Sequence, residues 1–167
     1  MSFERVIPDP GFAGDDGTAA DEVRQAMDAY DSDPAARQAA TLAVLQDARV
    51  LVPVLAVLGE VEYDDAGLAH DKTSDMATVL ITGRDGRTAL LAFTSMASLT
   101  TWDPAARPVP VPLRQAARSA LQDGADALLV DVAGPVLFAV EGDELRALAE
   151  DLTLVRVGDG WGWIRSM

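Results

Sequence analysis

The sequence predicts an α+β fold: a mixed β-sheet with an antiparallel hairpin at about residues 76–93, flanked by helices. Three observations carry that prediction. Apolar runs of strand character alternate with stretches of helical periodicity. Asp85-Gly86 stands between two β-rich runs, residues 76–82 and 88–93, and glycine accepts the positive φ of a tight hairpin turn. Phe93-Thr94-Ser95 ends an apolar run and passes at once into a short helical pattern that closes on Trp102-Asp103-Pro104.

Residues 1–17 hold two prolines, three glycines and several acids, and read as a flexible acidic arm. One domain is expected over residues 18–157, opening with a helical extension at 18–33. There Val23, Met27 and Tyr30 recur at i, i+4 and i+7, with Thr18 or Asp21 as cap. Asp33 caps the next helix and Pro34 takes its first position, where a missing N–H costs nothing. That helix runs to about Asp47 and turns Ala39, Leu42 and Leu45 inward.

Residues 50–57 form a buried strand. Pro53 cannot donate to a ladder, so the strand is expected at a sheet edge or bulged at that residue. Residues 60–63 alternate and either continue this strand or begin another. Residues 64–73 are acidic, without period, and read as loop.

Alternate prolines at 108, 110 and 112 forbid a central strand but allow an extended edge. A helix follows at 113–121, with Leu113, Ala116, Ala117, Ala120 and Leu121 on one side, and Gly124 stops it. Strands are expected at 127–132, 136–140 and 152–157, with a helix at about 143–150. Residues 158–167 are a tail in which Trp161 and Trp163 flank a glycine and point the same way if extended.

Size and charge exclude several functions. At 167 residues the chain buries about two-thirds of its unfolded surface and folds without disulfide or metal. Cysteine is absent, which removes thiol catalysis and thiolate metal sites and suits the cytoplasm. No basic region with an apolar core opens the chain, and no apolar run approaches the ~20 residues of a membrane helix. A net charge of -14 opposes nucleic acid and anionic membrane alike. The expected partner is a protein or a second copy of the chain.

Candidate chemistry is sparse. Ser95 sits on a strand-to-helix turn, but a nucleophile elbow needs glycines where Phe93 and Ala97 stand. The one histidine, His70, lies in the acidic loop. A better reading makes Thr94 or Ser95 the cap of the helix that follows. Glu60, Glu62, Asp64, Asp65, His70, Asp71 and Asp75 supply hard ligands for a divalent cation, with Asp64, Asp65, His70 and Asp71 the candidate set, yet no calcium-loop spacing occurs. Gly83-Arg84-Asp85-Gly86 and Gly158-Asp159-Gly160 are turns rather than phosphate loops, and no cofactor fingerprint appears. The sole lysine, Lys72, sits among polar neighbours. Asp131 interrupts an apolar strand and is expected at the sheet's end, capping a turn.

Several phrases together resemble the SseB-like family, in its actinobacterial form. They are Lys72-Thr73-Ser74-Asp75-Met76-Ala77, Asp85-Gly86-Arg87 through Phe93-Thr94-Ser95, Leu99, Trp102-Asp103-Pro104 and Arg107-Pro108-Val109-Pro110-Val111. Gly124-Ala125-Asp126-Ala127-Leu128 through Asp131, with Gly134-Pro135, continue the likeness, which runs over about residues 36–152. The resemblance implies a compact α+β domain of a soluble bacterial protein and brings no catalytic set. The chain is expected to lack the family's second, C-terminal domain.

The leading expectation is a non-catalytic interaction or regulatory domain that binds a protein or itself, through surfaces that include Trp161 and Trp163. The alternatives are a small-molecule sensor or enzyme with a pocket beside Phe93, Thr94, Ser95 and Trp102, and a cation site in the 60–75 loop.

Overall fold

The computed structural model describes Phe12 and residues 14–57, 62–63, 69–70 and 75–166. Helix α1 (Asp21–Ser32) buries Val23 and Met27. Its N-cap is Ala20, with no side-chain bond, so neither Thr18 nor Asp21 fills the expected capping role. Asp33 accepts from the Ala36 N–H and Pro34 opens helix α2 (Pro34–Leu45), as the sequence dictates.

Strand β1 (Arg49–Val57) lies between β4 (Asp75–Thr78) and β7 (Arg107–Pro112), antiparallel to both. Pro53 therefore occupies a central strand, contrary to the expectation of an edge or bulge. The reason lies in which way its nitrogen faces. Leu51 exchanges both backbone bonds with Phe93, at 2.7 and 2.8 Å, so its N–H points away from β7. Pro53 is two residues on and faces the same way. It falls between the two pairings, where the neighbour of β1 changes from Phe93 to Thr78. The same alternation explains β7. Val50, Val52 and Val54 face β7, so their partners Val111, Val109 and Arg107 take the ladder bonds. Pro108, Pro110 and Pro112 then turn their nitrogens to the open edge, as expected of this strand.

Two short strands, β2 (Glu62–Tyr63) and β3 (Ala69–His70), pair with each other. The second lies inside the stretch read as loop, and residues 64–68 and 71–74 lie outside the described residues. Strand β5 (Leu80–Thr82) pairs antiparallel with β6 (Thr88–Ala92), so the hairpin forms but is shorter than the expected 76–93, because the first half of its expected outer strand, β4, pairs with β1 in the other sheet. Its turn is closed by Gly86 N–H to Gly83 O at 3.0 Å, with Gly86 at φ 82.

The order β5-β6-β8-β9 completes a second sheet, with β8 (Ala127–Val130) parallel to β6 and β9 (Phe138–Glu141) antiparallel to β8. Helices α3 (Met96–Trp102) and α4 (Leu113–Gln122) lie on the crossover from β6 to β8, and α5 (Gly142–Ala149) follows β9. Leu121 is 38% exposed, although the pattern places it on the inner face. Strand β10 (Leu152–Val157) pairs with β11 (Gly160–Arg165), so the tail is a strand. The architecture is α+β, as predicted.

Alternation sends side chains to two cores. Val50, Val52, Leu90, Ala92, Leu128 and Val130 join the main core with α1, α2, α4 and α5. Leu51, Leu91 and Phe93 face the other way and meet Leu99 of α3. Among the described residues, no helix is long and apolar enough to cross a membrane.

Candidate functional site

The parallel pair β6 and β8 ends at the same level, with Ala92 opposite Val130. Carboxyl ends of adjacent parallel strands are where open sheets expose polar backbone to a ligand. Here that edge is closed by side chains. Asp131 leaves β8 at φ 57, a conformation that aspartate tolerates better than most residues, and its N–H still reaches Ala92 O at 2.9 Å. Its carboxylate thereby turns back over the end of β6.

Asp131 Oδ1 accepts from the Thr94 N–H at 2.8 Å, and Oδ2 accepts from Thr94 Oγ1 at 2.6 Å. Ser98 Oγ stands 3.0 Å from Oδ1 and shares its proton between that oxygen and Ser95 O, at 2.9 Å. Asp131 is 4% exposed. Burial pushes its carboxyl above the ordinary range, and the bonds from Thr94 and Ser98 pull it part of the way back. The sequence reading of Asp131 as a turn-capping group at the sheet's end matches this geometry.

Ser95 is the N-cap of α3, in a reciprocal box with Ser98. Ser95 Oγ accepts from the Ser98 N–H at 3.1 Å, and Ser98 Oγ accepts from the Ser95 N–H at 3.3 Å. No basic group among the described residues hydrogen-bonds to Ser95 Oγ. These bonds hold the strand-to-helix corner together.

Above it lies a cleft of about 600 Å³. Met27 of α1, Met96 of α3 and Pro135 supply apolar walls, Asp16 and Asp28 border it, and Thr94, Ser95, Ser98 and Asp131 line it. The sequence-predicted pocket residues divide here. Thr94 and Ser95 line the cleft. Phe93 is fully buried on the opposite face, where Trp102 packs on it with ring centroids 5.6 Å apart. The division follows from strand alternation, which turns residue 93 away from residues 92 and 94.

The two tail tryptophans share one face of the β10–β11 hairpin, as their spacing predicts. Trp163, opposite Leu154, packs against the main core. Trp161, opposite Arg156, is 37% exposed at the hairpin's end, with the guanidinium 5.5 Å from its ring centroid. The other face carries Val155, Val157 and Ile164, and the last two are 58% and 48% exposed.

Asp64, Asp65 and Asp71 of the expected cation site lie outside the described residues, and of His70 only its backbone pairing with Glu62 is described. Among the described residues no three acidic or histidine side chains gather as metal ligands. Sequence reasoning missed Arg49 and Ser98. Ser98 left a faint signal, a second hydroxyl three residues after the cap. Arg49 left none, because its partners come from residues 15, 18 and 94.

No curated protein and no solved structure is significantly similar to the chain. A family model does match, over residues 23–147, and so begins earlier than the likeness read from the phrases and takes in most of α1. With three-quarters of its length in that match, the chain belongs to the SseB family, through the SseB protein N-terminal domain.

Proposed function

We propose that the protein is a non-catalytic interaction or regulatory domain, and that its contact surface is the outer face of the β10–β11 hairpin. One observation carries this reading. Val157 and Ile164 stand exposed on a two-stranded ribbon whose other face is already anchored by Leu154 and Trp163. Val157 leans over Gly162, where an added Cβ would lie 3.3 Å from its Cγ2. The edge of β10 is taken by Gln46 at Leu154 and by Arg114 at Leu152, so the ribbon offers an apolar strip beside the β11 edge, a surface suited to another strand or a second copy. The consumed hydrogen bonds of the Asp131 corner support binding over chemistry.

Light scattering on the intact chain tests it. Self-association at high micromolar concentration is expected, and Val157→Asp with Ile164→Asp should return the chain to monomer without lowering its thermal midpoint. A wild-type chain that stays monomeric and captures no partner through this face overturns the reading.

A second reading rests on the cleft beside Asp131. Its volume and mixed lining suit a small ligand with an apolar body and a polar end. Binding to the folded state alone must raise the thermal midpoint. A metabolite that does so in the wild type but not in Met27→Trp would establish it, and no shift across a broad panel would count against it.

A further inference from the structure

Among the ion pairs of the described residues, Arg49–Asp15 stands apart. Its side chains are 12% and 22% exposed, whereas each of the others has a partner more than half exposed. Arg49 opens β1 and grips Asp15 with two nitrogens, Nε to Oδ2 at 2.8 Å and Nη2 to Oδ1 at 3.0 Å. The fork also donates to Thr94 O at 2.8 Å and to Thr18 O at 2.6 Å. Beside it, the Met96 N–H donates to Gly17 O at 2.8 Å. Residues 14–18 are thus held as a turn, which forms one wall of a cleft of about 730 Å³ whose far side is built by Val44, Asp47 and Ala48. Every anchor of this turn, Arg49, Thr94 and Met96, lies within the family match at 23–147, and the turn itself lies outside it. The family domain therefore contributes a sheltered cation, and the carboxylate reaches it from a separate stretch of chain. A guanidinium fork in such a place fits a carboxylate far better than a neutral group, and leaving it unpaired there is costly.

We propose that the Arg49 fork, with the Thr94 and Met96 backbone beside it, is a binding site for an acidic peptide segment, occupied in this chain by residues 14–18 as an intramolecular ligand. The recognised pattern is an aspartate at the fork, a glycine two residues later and the next carbonyl back on the guanidinium. Gly17 is required by position. It sits at φ +81, and an added Cβ would stand 2.6 Å from Met96 Cγ. A tethered ligand acts at an effective concentration on the order of millimolar, so an outside peptide binds only when the turn is released. This site is separate from the hairpin face and does not depend on it.

The test uses the full chain carrying Asp15→Ala and Gly17→Val, which empties the fork and drives the turn off Met96. The probe is a fluorescent peptide with the sequence of residues 12–18. We expect it to bind the variant at least ~10-fold more tightly than wild type, as the tether's effective concentration implies. The binding should perturb the amide signals of Thr94 and Met96 and be lost in a probe with asparagine at the Asp15 position. A folded variant whose Met96 amide has shifted, showing the turn released, yet which ignores the probe overturns the proposal. So does a wild type that binds equally well, or an asparagine probe that binds as tightly. If the double variant does not fold, Asp15→Ala alone gives the same comparison.

Discussion

Asp131→Ala tests the strand-end corner most directly. The substitution removes the acceptor for the Thr94 N–H, the Thr94 hydroxyl and the Ser98 hydroxyl, at 2.8, 2.6 and 3.0 Å. Three buried bonds at about 1 kcal/mol each give about 3 kcal/mol. Alanine must also hold the left-handed conformation at φ 57, which adds about 1 kcal/mol. Part of this is offset because a buried charge disappears. The expected loss at pH 7 is about 3 kcal/mol. Asp131→Asn should cost under about 1 kcal/mol, since Oδ1 keeps two bonds, the amide donates to Thr94 Oγ1, and asparagine tolerates the same backbone. The pH dependence has a definite sign. The folded carboxyl titrates above its ordinary value of 3.8, so between that pH and its folded value the native state holds a proton that the unfolded chain has released. Stability from this group is complete below 3.8 and is lost as pH rises through the folded value. Wild type should therefore lose ground to Asp131→Asn as pH rises from 4 toward 7. Urea unfolding of the three proteins at several pH values measures all of this. An Asp131→Ala as stable as wild type, or an Asp131→Asn as damaged as Asp131→Ala, would refute the reasoning.

Gln46 is 6% exposed and clamps β10, its Oε1 accepting from the Leu154 N–H at 2.8 Å and its Nε2 donating to Leu154 O at 3.0 Å. Gln46→Ala should cost about 2 kcal/mol and speed hydrogen exchange at the Leu154 amide before the β6 and β8 amides. Phe93→Ala should cost about 3–5 kcal/mol by denaturant titration, and it should change Trp102 emission through the lost ring contact. Ser95→Ala removes one cap and should cost about 1 kcal/mol in thermal unfolding.

Much of the fold was legible because its signals are local. Asp33-Pro34 favours a helix start, Asp85-Gly86 between two β-rich runs favours a hairpin turn, and alternate prolines favour an edge for residues 107–112. Pro53 misled for a reason outside its own neighbourhood: whether its missing N–H matters depends on Phe93 and Thr78, which flank it through tertiary pairing. Leu121 misled because a helical face runs past the end of what covers it.

The site divides along the same line. The sequence alone placed a helix cap at Thr94 or Ser95, and the structure puts Ser95 there. The sequence also placed Asp131 at a strand end and put both tail tryptophans on one face. Only the tertiary structure decided that β6 and β8 run parallel and stop together, so that Asp131 closes over Thr94 and Ser98. It alone paired Arg49 with Asp15, 34 residues earlier. Hydrogen bonds within a turn are written in spacing, which a sequence displays. A carboxylate brought to a cation across the fold is a matter of distance, which exists only once the chain has packed.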